Sequence, residues 1–115
     1  MGICQTFQKE IDTLFTILQT HVKTKFDEDV DTIETLKIKS RNKHLVYFRR
    51  MLMIILGENF LKNYNQDEIA SVVGLDRTSF IYHYKIHMND LSVVKNYKEE
   101  FNSIKESYLK EIEEK

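Results

Sequence analysis

Apolar residues recur every three or four positions along most of this chain, which places them on one face of an α-helix. In residues 5–25 this stripe predicts an amphipathic helix that needs a packing partner. An acidic loop at residues 27–29 interrupts the pattern, and residues 30–36 are expected to form a short helix. The apolar positions of the first helix are Phe7, Ile11, Leu14, Phe15, Leu18 and Val22.

Two further stretches have helical periodicity. Residues 43–58 are apolar nearly all round, which is typical of a helix at the centre of a bundle. After a turn expected at Asn89 and Asp90, a last helix is predicted from residue 91 or 92 to 114, and no stretch alternates as a β-strand does. The pattern therefore predicts an all-α bundle of five or six helices. The apolar stripe of the last helix is Val93, Val94, Tyr97, Phe101, Ile104, Tyr108 and Ile112.

Residues 65–88 between these helices have the pattern of a helix-turn-helix. Asn65 and Asp76 are good N-caps for two helices, and Gly74 suits the turn that separates them. Ala70 is small enough to let the two helices approach, and Phe80 is apolar where the second helix meets the core. The alternative interpretation is a plain helical hairpin.

The second helix of a helix-turn-helix enters the DNA major groove by its N-terminal end. Here that end carries Arg77, Thr78 and Ser79, which can donate hydrogen bonds to base edges or phosphates, and Tyr82 lies one turn further on. These four residues are the predicted readers of DNA sequence. Asp76 is expected to cap the helix, because phosphates repel a carboxylate.

Charge is distributed unevenly in the 115 residues. The net charge is −1, yet residues 37–57 carry six basic side chains and no acidic one. The basic groups lie at one end of a helix that is otherwise apolar, so contacts with phosphate are predicted. The predicted DNA contacts of this segment are Lys39, Arg41, Lys43, Arg49 and Arg50.

Composition excludes several other classes of protein. Cys4 is the only cysteine, so a disulfide framework is impossible within one chain and a cytoplasmic location is expected. His83 and His87 have a spacing that can bind one metal, but no third ligand is evident, so packing or phosphate contact is favoured. No paired carboxylates or activated nucleophile indicate an enzyme, and no cofactor is expected.

Two motifs together resemble a known family. The stretch KSRNKHLVYFRRMLMIIL, followed by VGLDRTSFIYHY, is similar to the C-terminal DNA-binding domain of the bacterial replication initiator DnaA. The resemblance covers residues 30–110 and implies an all-α fold related to the Trp repressor helix-turn-helix. It also implies that Arg41 enters the minor groove and that Arg49 matches the arginine of the family's long helix.

The match to the family signature, Gly-Arg-Asp-His-Thr-Thr-Val, is partial. Gly74, Asp76 and Thr78 agree with it, whereas Leu75 replaces its arginine and Arg77 its histidine. The preferred base is therefore expected to differ from the family's. The phosphate loop that binds ATP in the initiator does not occur in this sequence.

The sequence predicts one domain over residues 1–115. Residues 1–29 would supply a helix and the acidic loop, residues 30–110 the DnaA-like part, and residues 111–115 a frayed tail. Two functions remain open. One is sequence-specific binding of double-stranded DNA in replication or transcription control. The other is interaction with a protein, such as a replication or regulatory protein, through a helix-turn-helix that no longer binds DNA.

Overall fold

The computed structural model describes residues 5–38, 42–60 and 64–113, and these ranges form six α-helices without any β-strand. The predicted all-α fold is therefore confirmed. In chain order the helices are α1 (Gln5–Phe26), α2 (Ile33–Lys37), α3 (Lys43–Phe60), α4 (Gln66–Ser71), α5 (Arg77–Val93) and α6 (Lys95–Glu113).

Helix α3 lies at the centre, as its apolar sequence predicts. It contacts α1, α2, α4 and α5, while α6 packs on α1 and α5. Residues 51–57 are all buried, and the side chain of Ile55 is 0% exposed. No helix in the described ranges is both long enough and apolar enough to cross a lipid bilayer.

Helix α2 is shorter than predicted and begins at Ile33. Gln19 on α1 donates hydrogen bonds from Nε2 to the carbonyl oxygens of Val30 (2.7 Å) and Asp31 (3.3 Å). Thr32 is extended, with φ −141° and ψ 162°. The segment before α2 is thus held extended by a long-range contact that the local sequence does not reveal.

The turn expected at Asn89 and Asp90 is wrong, because α5 continues through both residues to Val93. Neither residue breaks a helix as Gly or Pro would, and Leu91 packs against the core. The predicted apolar stripe of the last helix is also wrong at its start, since Val93 and Val94 are 68% and 43% exposed. Helix α6 begins only at Lys95.

A polar cluster joins α1, α3 and α6. Tyr47 donates its hydroxyl proton to Glu100 Oε2 at 2.9 Å, and His21 Nε2 lies 2.9 Å from the same hydroxyl. Lys25 completes the cluster with an ion pair to Glu100 at 2.6 Å. Burial lowers the pKa of His21, so its ring is neutral at pH 7 and donates Nε2–H to Tyr47.

Replacing Gly74 with alanine is expected to destabilise the fold by about 2 kcal/mol, because an L-residue costs roughly 1–2 kcal/mol in the left-handed region and a close contact adds to this. Gly74 has φ +75°, and a Cβ there would lie 3.0 Å from the Cα of Lys37. Urea unfolding measures the loss. Gly74→Asn should cost less, since asparagine tolerates positive φ; equal stability of Gly74→Ala and the parent would contradict the prediction.

Candidate nucleic-acid interface

Helices α4 and α5 lie where the sequence predicts a helix-turn-helix, and the predicted caps are confirmed. Asn65 and Glu68 form a reciprocal capping box at the start of α4, with bonds of 2.8 and 3.0 Å. Gly74 provides the left-handed residue of the turn. Asp76 caps α5 by accepting the backbone N–H of Ser79 at 2.9 Å. Each cap satisfies a backbone donor that a helix start leaves without an intrahelical partner.

Two carboxylates occupy the N-terminal end of α5. Besides the Asp76 cap, Asp67 of α4 accepts the backbone N–H of Arg77 at 2.7 Å. Hydrogen bonds from the backbone and hydroxyl of Ser79 lower the pKa of Asp76, so its carboxylate is charged at pH 7. The backbone donors that could otherwise receive a phosphate at this end are therefore used inside the protein. Any contact of α5 with a nucleic acid must come from its side chains.

The predicted reader residues differ in their exposure. Arg77, Thr78 and Tyr82 are exposed, the last by 62%. The Nε atom of Arg77 donates to Gln66 Oε1 at 3.2 Å, which orients the guanidinium and leaves its outer edge toward solvent. Ser79 is only partly exposed, and both its backbone N–H and its hydroxyl bind Asp76. Its role in this structure is to complete the cap.

An exposed stripe continues along α5 beyond the predicted readers. Lys85 and Asn89 are exposed; Lys85 follows Tyr82 by three residues and Asn89 follows Lys85 by four, which puts all three on the same face. The full length of this face could not be recognised from the sequence, because the turn predicted at Asn89 ended the second helix at Met88. We call this face the outer stripe of α5; it consists of Thr78, Tyr82, Lys85 and Asn89.

The basic segment does not present all its cations to solvent. Lys43 is exposed at the start of α3, whereas Lys39 and Arg41 lie outside the described residues. Lys37 pairs with Glu34 at 3.4 Å on the surface of α2. Of the predicted phosphate contacts in the described ranges, Lys43 therefore has the position that the prediction requires.

Arg49 and Arg50, two of the predicted DNA contacts, make contacts inside the fold. Arg49 is only 6% exposed, and its guanidinium donates to the carbonyl oxygens of Leu36 and Ile38. These carbonyls lie at the C-terminal end of α2, where a helix leaves acceptors unpaired. The side chain of Arg50 is 15% exposed and points toward α5. Both guanidinium groups thus make contacts within the fold. Their acceptors come from other helices and could not be recognised from the local sequence.

The two histidines of α5 also face inward. His83 Nδ1 accepts a hydrogen bond from Arg50 Nε at 3.1 Å, and His87 Nδ1 lies 2.6 Å from the hydroxyl of Tyr97. Burial and then the charge of Arg50 lower the pKa of His83 to about 4, so the ring is neutral at pH 7. His87 is 1% exposed, and burial lowers its pKa as well. Both Nδ1 atoms are engaged within the fold, which agrees with packing, one of the two roles (packing or phosphate contact) that the sequence favours.

The start of the basic segment lies against the turn between α4 and α5. A Cβ built on Gly74 would approach the Cα, Cβ and Cγ atoms of Lys37 within 3.0 to 3.1 Å. Lys37 is the last residue of α2, and Gly74 precedes α5 by only three residues. Lys37, where the basic segment begins, therefore lies directly beside the turn that leads into α5.

Comparison of the chain with protein-family models, with curated proteins and with solved structures finds no match.

Proposed function

We propose that this chain binds double-stranded DNA through a helix-turn-helix, with α5 in the major groove and the basic segment on the adjacent backbone. The observation that carries the proposal is the contact between Gly74 and Lys37, which brings the turn before α5 beside the start of the only strongly basic segment. The resemblance to the DnaA C-terminal domain supports DNA contacts by the same two elements, α5 and the basic segment. It also supports a role in replication or transcription control.

The outer stripe of α5 has chemistry suited to reading bases. From Thr78 to Asn89 it spans about 16 Å, since an α-helix rises 1.5 Å per residue. That length matches about five base pairs of 3.4 Å each. Asn89 can form two hydrogen bonds with adenine, and Lys85 can bind guanine or a phosphate. Arg77 beside the stripe can present its outer edge to guanine O6 and N7.

The test begins with selection of a preferred site from random duplexes. Arg77→Ala should then weaken binding to the selected site most, because a bidentate arginine contact contributes roughly 1–3 kcal/mol of discrimination. Arg77→Lys keeps the charge but loses the fork, so it should also reduce the preference. Binding is measured by fluorescence anisotropy on the selected site and on a scrambled duplex.

Lys43→Ala is the comparison variant, because a phosphate contact should affect both duplexes about equally. Lys9→Ala removes an exposed cation from α1 and should change neither affinity. If Arg77→Ala leaves the ratio of the two affinities unchanged, α5 does not read the sequence. If the parent chain binds no duplex at low salt, the proposed function is wrong.

A second candidate function is binding to another protein, and exposed apolar side chains on α5 favour it. Tyr84 and Met88 are 45% and 47% exposed and lie one turn apart beside the outer stripe. Under this alternative, neither the parent chain nor Met88→Asp would bind DNA, and Met88→Asp would abolish binding to the partner protein.

A further inference from the structure

We propose that Arg50 is a positioning residue that fixes the reading helix α5 on α3 by acting through His83. The inference rests on the proposed DNA-binding function, and it assigns Arg50 a role other than phosphate contact. Its Nε donates to His83 Nδ1 at 3.1 Å, and its Nη1 lies 3.9 Å from Asp90 Oδ2.

The two partners of Arg50 make it suited to holding a helix in place. His83 and Asp90 are seven residues apart on α5, which corresponds to two turns on the same side of the helix. A guanidinium presents several donors in one rigid plane, so a single side chain can engage both groups. Rotation or sliding of α5 against α3 would break at least one of these contacts.

The contact side and the reading side of α5 are linked by helix geometry. His83 immediately follows Tyr82 of the outer stripe, and the two side chains point about 100° apart around the axis. Holding His83 against α3 therefore determines the direction in which Tyr82 and the rest of the outer stripe face. Because α3 is the buried centre of the fold, the contact of Arg50 with His83 fixes the orientation of the outer stripe relative to this central helix.

The acceptor role of His83 requires a neutral ring with its proton on Nε2. The groups that act on this ring are Arg50 and Arg49 from α3, both of which disfavour its protonated form. A protonated His83 could not accept the Arg50 bond, and it would place two cations in contact in a partly buried site. The neutral state of His83 at pH 7 therefore agrees with the observed hydrogen bond, in which Arg50 Nε donates and His83 Nδ1 accepts.

The test compares Arg50→Met, His83→Leu and His83→Asn with the parent chain, well below the lowest melting temperature of the set. Methionine keeps much of the aliphatic packing of arginine, while asparagine retains an acceptor near the position of Nδ1. Two quantities are measured: the ratio of affinities for the selected and scrambled duplexes, and the slope of log affinity against log salt.

We expect Arg50→Met and His83→Leu each to lower the affinity ratio roughly tenfold, equivalent to about 1.4 kcal/mol. The double variant should lose little more than Arg50→Met alone, since the contact that His83→Leu removes is already lost in Arg50→Met. His83→Asn should restore most of the ratio. The salt slope should stay unchanged, because no phosphate contact is lost.

Other results would overturn the inference in recognisable ways. A salt slope reduced by about 0.9 in Arg50→Met would identify a direct phosphate contact instead. An unchanged affinity ratio in Arg50→Met, with Arg77→Ala still losing it, would leave the proposed function standing and refute the positioning role. If the parent chain binds no duplex, the inference falls together with the proposed function.

Discussion

The Ile55→Asp variant is expected to be unfolded under conditions in which the parent chain is folded. Ile55, in the C-terminal half of the central helix α3, is 0% exposed and lies within a run of residues that are all buried. An unpaired buried charge costs several kcal/mol even after relaxation, and the lost burial of the isoleucine adds to that cost. The total is comparable to the 5–15 kcal/mol or so that stabilises a typical domain. Circular dichroism and thermal melting measure the outcome.

Two controls separate burial from other effects of this substitution. Ile55→Leu conserves volume and polarity and should cost less than about 1.5 kcal/mol. Asn102→Asp introduces the same charge at an exposed position of α6 and should leave the fold intact. A folded Ile55→Asp protein with an unchanged melting temperature would contradict the central position of α3.

The second large effect expected is the loss of DNA affinity with salt. The cations proposed to contact phosphates are Lys39, Arg41, Lys43 and Lys85, because Arg49 and Arg50 make contacts inside the fold. Four neutralised phosphates give a log–log slope of about −3.6, so raising salt from about 50 to 200 mM should weaken binding roughly a hundredfold. Titrations of one duplex at several salt concentrations provide the slope.

The expected salt slope differs from the slope that the charge of the basic segment alone would give. If Arg49 and Arg50 also contacted phosphates, six contacts would give a slope of about −5.4. Lys43→Ala should make the slope less negative by about 0.9, whereas Lys9→Ala on α1 should leave it unchanged. A slope near zero would argue against any electrostatic contact with DNA.

The helix caps could be predicted from the sequence because they depend on neighbouring residues. Asn65 and Asp76 bond to backbone groups three residues away, and Gly74 has a conformation that its lack of a side chain permits. The central position of α3 was equally accessible, since a helix that is apolar all round has few other places in a bundle. These features require no knowledge of distant contacts.

The errors arose where long-range contacts decide the structure. Asn89 and Asp90 form a dipeptide typical of turns, yet Asp90 lies near Arg50 and Leu91 packs on the core, which keeps α5 helical. Arg49 and Arg50 read as surface cations because nothing in the local sequence reveals the carbonyls of α2 or the ring of His83. The sequence thus predicted the elements on which the candidate site is proposed, but which of their side chains are exposed could be seen only in the folded structure.

The carboxylates of Asp67 and Asp76 at the start of α5 restrict how this helix could approach a polyanion. A helix tip with free backbone donors can settle on any phosphate, whatever the sequence nearby. Here those donors are used and negative charge surrounds them, so an approach with the tip resting on the sugar–phosphate backbone is repelled. An approach in which the tip enters the groove between the two phosphate backbones, with Arg77 foremost, avoids that repulsion. Repulsion by these two carboxylates would thus favour base contacts by making the unproductive docking orientations unfavourable.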